Sequence, residues 1–203
     1  MSRYTYILDN GHGGLINGKY QTSGKRSPKF PDGSILYEGV NNRDNVKRIC
    51  AELTKRGIDH INLIDTQEDV SLADRVYMTN QHCKDKKCIF ISVHSNAAGS
   101  GGKWANAQGN GVYLYLKPSQ TSTRFGHVMA EEIQSNFSEL TKFRGEKNRN
   151  FYVLRKTKCP AILLELGFHD NLEEAQKMLT EEWKKKVVKS VCDSIEIWEK
   201  TSL

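Results

Sequence analysis

Apolar positions along this chain alternate between two rhythms. Short runs rich in branched and aromatic residues, at 4–10, 58–65, 88–93 and 112–116, read as strands. Between them the spacing lengthens to that of helices. Val40, Val46, Ile49, Cys50 and Leu53 share one face, with Gly57 as the stop. Ser71-Leu72-Ala73-Asp74 has the form of a cap and opens a helix through about Cys83. Phe125, Val128, Met129, Ile133, Phe137 and Leu140 mark a further amphipathic helix. Asn171 and Glu174 have the spacing of a helix start, and Trp183, Val187, Val191, Ile195 and Trp198 mark a last helix. A weaker strand is expected over 148–154. Two intervals have no period: 15–37, rich in Gly, Lys, Ser and Pro, and the glycine-rich loop 97–111 that carries Trp104. A loop as long as the first is unusual inside a compact domain and is often functional.

One strand stands out. In Cys159-Pro-Ala-Ile-Leu-Leu-Glu-Leu-Gly-Phe-His-Asp-Asn171, an unbroken apolar run is followed by Glu165, an acid where a buried strand should be ending. A carboxylate there is costly unless it is paired, hydrogen-bonded or metal-bound. Strands alternating with helices imply βαβ units and a largely parallel sheet, and ligands of such sheets collect beyond the carboxyl ends of the strands. His12, His94 and Glu165 each fall at or just past such an end. Two imidazoles and a carboxylate are a zinc-type donor set, in which a catalytic site keeps one position open. Glu38, at the start of the first helix, is a second acid, although a carboxylate there is also favoured by the helix dipole. Glu38 and Glu165 therefore compete for the roles of third ligand and general base, and spacing does not assign them. No H-E-x-x-H helix is present.

Composition narrows the partners. The 203 residues suit a single domain, 1–203, with no repeat or linker. The net charge of +6 favours anionic surroundings, but the lysines are dispersed and match no nucleic-acid-binding motif, so no nucleic-acid partner is expected. No apolar run is long enough for membrane insertion, and the first residues have no leader pattern. The expectation is synthesis in the cytoplasm without a signal peptide. Five scattered cysteines do not describe a disulfide framework, and Cys83 and Cys88 are too widely spaced for a zinc knuckle.

The stretches ILDNGHGG, LYEGVNNR, FISVHSNAA and PAILLELGFHDN resemble, in order and spacing, the zinc-dependent N-acetylmuramoyl-L-alanine amidases of the type 3 amidase family. The likeness spans 4–171, leaving 172–203 as C-terminal helices packed on the same domain. It implies an α/β fold with a mixed, mostly parallel, roughly six-stranded sheet flanked by helices. It further implies one Zn2+ ion held by His12, Glu38 and His94, with Glu165 as the catalytic acid/base. The implied reaction is cleavage of the amide between N-acetylmuramic acid and the L-alanine of the stem peptide in peptidoglycan, by a zinc-activated water. An enzyme of this kind without a leader would reach the bacterial cell wall after release, as an endolysin does in phage lysis.

Two residues depart from the family pattern. Asn10 replaces the more usual proline, and the turn is expected to persist because Asn also suits tight turns. His169 stands where the family tends to have an apolar or small residue; it is read as a hydrogen-bonded or surface histidine, with substrate or metal contact as the alternative. Asp9 is read as either orienting a ligand histidine or capping the turn. Asn96 and Trp104 are candidate substrate contacts, with a local turn and local packing as their ordinary roles. Arg75 and Arg144 are candidates for a peptide carboxylate, with a solvated surface arginine as their ordinary role. Rival functions are another zinc peptidase or deacetylase acting on wall polymer, or a non-catalytic wall-binding module that would be expected to have lost one of the four groups.

Overall fold

The computed structural model describes residues 2–99 and 102–201. Its centre is a six-stranded sheet built from β1 (Thr5–Asn10), β4 (His60–Asn62), β5 (Cys88–Asn96), β6 (Asn110–Leu114), β7 (Phe143–Asn148) and β8 (Ala161–Phe168). The spatial order is β4-β1-β5-β8-β6-β7. All neighbours run parallel except β8 and β6, which are antiparallel. The sheet is thus mixed and mostly parallel, as expected. The three central strands carry the continuous apolar runs, and Tyr6, Ile7, Leu8, Ile89, Phe90, Ile91, Ile162 and Leu164 are fully buried. Apolar residues on both faces of a strand require cover on both faces.

One face is covered by α1 (Glu38–Lys55), α3 (Gln120–Phe137), α5 (Leu172–Met178) and α6 (Glu181–Lys200), whose apolar sides join Leu8, Ile91 and Leu164 in the larger core. In α6 both tryptophans, Trp183 and Trp198, are buried, and the Thr180 side chain caps the helix at Trp183 N. The other face has thinner cover, from α2 (Leu72–His82) and the short α4 (Tyr152–Lys156), over a smaller core that includes Ile7, Phe90 and Leu163. Ser71 and Asn171 act as the expected caps, accepting from Asp74 N and Glu174 N.

Several elements depart from the pattern reading. The strand expected over 148–154 is instead the end of β7 followed by α4. β7 reads Phe-Arg-Gly-Glu-Lys-Asn, an edge strand with only partial burial and so with no apolar signature. The apolar Val153-Leu154 pair belongs to α4 and fills the thin face. The strand expected over 58–65 shortens to three residues, and β6 starts two residues earlier than expected. β5 and β8 run past His94 and Glu165, so both residues lie inside strands. The interval 15–37 contains a small hairpin of β2 (Leu15–Ile16) and β3 (Lys19–Tyr20). Within the loop expected over 97–111, residues 100 and 101 lie outside the described residues.

Candidate active site

The site is assembled at the carboxyl edge of β1, β5 and β8. In the β5–β8 ladder His94 pairs with Glu165, so the two side chains leave the same face of the sheet. Just beyond that pair, two residues on β5 oppose three on β8, and Gly167 takes the left-handed conformation (φ 77°) that this bulge requires. His12 follows β1 in a turn and itself has φ 70°, an uncommon conformation for a residue with a side chain. That turn is held by side chains from elsewhere. Arg43 and Arg75 both donate to the His12 carbonyl (2.7 and 3.1 Å), Arg75 donates to the Asn10 carbonyl (2.7 Å), and Asn42 donates to the Gly11 carbonyl (3.2 Å).

Glu38 arrives on the first residue of α1. The residue before it, Tyr37, makes no side-chain cap, and the long loop supplies the missing partners: the Lys25 carbonyl accepts from Glu38 N (3.0 Å) and the Tyr20 hydroxyl accepts from Gly39 N (2.9 Å). Two glycines permit the approach. A Cβ on Gly39 would stand 1.9 Å from the Gly13 carbonyl oxygen, and one on Gly11 would stand 2.0 Å from the His94 ring.

The result is a convergence of three donors. Glu38, 1% exposed, lies with Oε2 3.3 Å from His12 Nε2 and Oε1 3.1 Å from His94 Nδ1. The imidazoles meet edge to face with centroids 5.0 Å apart. Ligand atoms of the three residues all lie within 4.8 Å of one another, the one such group among the described residues that can hold a metal ion. Burial acts to raise the Glu38 carboxyl, but hydrogen bonds from His12 and then His94 outweigh it and hold the group well below the usual carboxylate range. Burial likewise opposes charge on His94, and the Glu38 carboxylate overrides it, raising the imidazole. Two imidazoles around one ionised carboxylate match a zinc donor set with an open position.

Glu165 has a different environment. Burial pushes its carboxyl up to about 7, His94 pulls it down, Glu38 pushes it up, and Lys25 pulls it down. Its Oε2 is buried without a hydrogen-bond partner among the described residues. A cleft of about 460 Å³ opens over His12, His94 and Glu165, with Lys25 on its rim and Leu72 and Phe151 in its apolar wall. The two acids that spacing left competing are thus placed apart, Glu38 behind the imidazoles and Glu165 on the cleft.

Residues 7–197 match the family Amidase_3, described as N-acetylmuramoyl-L-alanine amidase. The chain belongs to this amidase family. It is 31% identical over 192 residues to an uncharacterized cell wall amidase of Bacillus anthracis, covering 92% of this chain and 34% of that protein. It is 35% identical over 115 residues to the N-acetylmuramoyl-L-alanine amidase CwlM of Bacillus licheniformis, covering 56% of this chain and 40% of that one. The chain therefore spans about a third to two-fifths of these two relatives. Among solved structures, the N-acetylmuramoyl-L-alanine amidase of Clostridium difficile 630 superposes with a TM-score of 0.78 at 25% identity, covering 98% of this chain and 97% of that one.

The remaining expected residues of this amidase-family chain take varied places. His169 is 1% exposed; its Nδ1 lies 3.1 Å from Ser95 Oγ and 3.7 Å from Glu38 Oε2, and burial lowers its pKa. Asp9 is joined to Arg75 and accepts from Ser92 Oγ (2.7 Å), with no hydrogen bond to either imidazole among the described residues. Asn96 accepts from Ala97 N (2.8 Å), a local turn contact. Trp104 packs on Phe30 with centroids 5.3 Å apart, beside a separate hollow lined by Arg26 and Lys29. Arg75 is buried and committed to the turn, which corrects its reading as a contact for a peptide carboxylate. Arg144 stacks over Phe168 at 5.0 Å and donates to the Gln108 carbonyl (3.1 Å). Asn10 donates to Asn62 Oδ1 and the Ile64 carbonyl (both 3.0 Å), tying the ends of β1 and β4 where proline has no donor to offer.

Sequence reasoning missed Arg43, Lys25 and Glu174. Glu174 has the spacing of a helix start, but its buried carboxylate also accepts from Gly109 N (2.9 Å), Phe168 N (2.8 Å) and the Thr141 hydroxyl, pinning three segments together. Only a carboxylate predicted to be buried would have signalled this, and helix periodicity alone places Glu174 ambiguously.

Proposed function

We propose that the chain hydrolyses the amide between N-acetylmuramic acid and L-alanine in peptidoglycan, with His12, Glu38 and His94 holding one zinc ion and Glu165 as general acid/base. The observation that carries this reading is the convergence of the three donors with Glu165 paired to His94 across the β5–β8 ladder. When bound, zinc supplies a Lewis acid that polarises a carbonyl and makes a water nucleophilic near neutral pH. Glu38 supplies the anionic ligand, buried beside the facing nitrogens of both imidazoles. Glu165, paired with His94 in the ladder and lining the cleft, would accept the proton of the attacking water at its carboxylate and return it to the departing amine. The rim ammonium of Lys25 tempers the upward shift that burial gives the Glu165 carboxyl. Leu72 and Phe151 offer the substrate an apolar wall.

The reading of a non-catalytic wall binder has no support in a site that retains all four groups. The test is digestion of purified peptidoglycan with product analysis. The amidase reading expects new L-alanine amino termini without new reducing sugar ends, abolished by a chelator and restored by zinc. New peptide termini within the stem, or released acetate, would favour the peptidase or deacetylase instead.

A further inference from the structure

The opposite edge of the sheet carries chemistry that the amidase site does not use. Cys88 opens β5 and Cys159 stands two residues before β8, on adjacent strands joined where Phe90 N donates to the Pro160 carbonyl (2.8 Å). Cys83 is the C-cap residue of α2. All three line one hollow of about 590 Å³ under the amino ends of the strands, together with Lys84, Lys86, Lys87 and Lys158. Five cysteines are present in the chain, and three of them meet here.

Two features separate this cluster from buried structural cysteines. Cys83 and Cys159 are both partly exposed, whereas Cys88 is 2% exposed. Cys83 lines the same hollow as Cys159 and Cys88, and the nearby Cys159 thiol brings it down to about 7 against the opposing effect of burial. Cys88 is pushed up to about 12 by burial, and Cys159 is raised by the neighbouring Cys83. Cys83, partly exposed at the C-cap of α2 and among the lysines, is the sulfur placed to attack, and Cys159 lines the same hollow beside it. Partly exposed thiolates in electropositive surroundings are the reactive class of cysteine. The three sulfurs do not form one of the close donor groups that can hold a metal ion, and four lysines repel a cation. Pairwise sulfur chemistry is what the arrangement suits.

We propose that Cys83 and Cys159 form a thiol–disulfide exchange site for small anionic disulfides. The Cys83 thiolate attacks one sulfur of the small disulfide, forming a mixed disulfide and releasing one small thiolate. The Cys159 thiol then attacks the Cys83 sulfur, forming a Cys83–Cys159 disulfide and releasing the second small thiol, which carries away the Cys159 proton. Two protein thiols are oxidised and one small disulfide is reduced to two thiols, so atoms and electrons balance. The lysines draw in the carboxylates of the incoming molecule.

The test treats the full chain with glutathione disulfide and, in a parallel arm, with the cationic disulfide cystamine, followed by intact mass and peptide mapping. The wild type is expected to lose two thiols as a Cys83–Cys159 bridge, and Cys159→Ser to trap the mixed disulfide on Cys83. Cys83 should react at least about tenfold faster at pH 7 than half-buried Cys50, whose thiol burial pushes up to about 11. Glutathione disulfide should outpace cystamine. Mapping of the wild-type protein keeps the test valid if a serine variant fails to fold. Equal rates at Cys83 and Cys50, or a wild type that stops at the mixed disulfide, would overturn the exchange site; cystamine reacting as fast would overturn its preference for anions.

Discussion

His94 and Glu165 stand opposite one another in the parallel ladder of β5 and β8, on the same face of the sheet, yet they are held in different protonation regimes. His94 leans on Glu38 at 3.1 Å, while Glu165 has one carboxylate oxygen buried without a partner. Substitution should separate the two acids. Glu165→Gln is expected to retain zinc and lose at least about 10²-fold in hydrolysis, the scale of a positioned acid/base. Glu38→Gln is expected to lose the metal. Metal content after dialysis, measured beside product release, checks both; a Glu165 variant that dialyses free of zinc would exchange the two assignments.

The raised carboxyl of Glu165 also predicts a stability profile for the metal-free protein. In the folded chain the group titrates at about 7 rather than near 4.5, so between those values the folded state binds the extra proton. Its contribution is complete below about 4.5 and is lost as pH rises through about 7. Glu165→Gln should therefore be more stable than wild type above pH 7, by on the order of 2 kcal/mol, with the gap closing toward pH 4.5. Denaturant midpoints of metal-free protein across this range measure it, and a pH-independent gap would show that the carboxyl is not shifted.

Much of this architecture is visible in the residue pattern, and what escapes it does so for physical reasons. The central strands are legible because they are apolar on both faces, and the carboxyl-edge positions of His12, His94 and Glu165 follow from their ends. The edge strand Phe143–Asn148 is not, because it is only partly buried and carries polar residues. Arg75 looks like any exposed arginine in sequence; only the fold shows it buried against Asp9 and the His12 turn, since that pairing spans 66 positions. Which acid faces the cleft depends on the approach of α1 to the turn, which no local spacing encodes. The meeting of Cys83 with Cys159 is hidden for the same reason.

Arg75 and Asp9 are both almost completely buried, so removing one leaves the other charge without its partner. Arg75→Met is expected to cost about 3–5 kcal/mol, and the Asp9→Asn, Arg75→Met double variant to cost less than the sum of the single changes. Because Arg75 also holds the carbonyls of Asn10 and His12, the single variant should bind zinc more weakly at temperatures where it remains folded. Calorimetric titration with zinc, beside thermal melts, distinguishes this from a loss of stability alone. Unchanged affinity in the folded variant would confine Arg75 to a structural role.

Gly11 gives the sharpest test that backbone proximity, beyond the donor residues themselves, builds the metal site. A Cβ at Gly11 would lie 2.0 Å from the Cε1 of His94 and 2.4 Å from both of its ring nitrogens, so Gly11→Ala must displace the imidazole or the turn. The His94 ring is hemmed in by Glu38 on one side and by the edge of His12 on the other, which leaves little room for a compensating shift. A misplaced ligand loses metal affinity before it loses the fold, since Gly11 lies buried in the turn after β1 and a Cβ there meets the His94 ring rather than the apolar core. Gly11→Ala is therefore expected to lower zinc affinity by at least about tenfold, equivalent to about 1.4 kcal/mol, with a smaller effect on stability. Gly102→Ala is the control: none of the described residues lies within 4 Å of a Cβ there, and its zinc affinity should match wild type. Competition with a chromophoric chelator measures both, and equal affinity for the two variants would mean that the His94 ring yields without leaving its coordinating position.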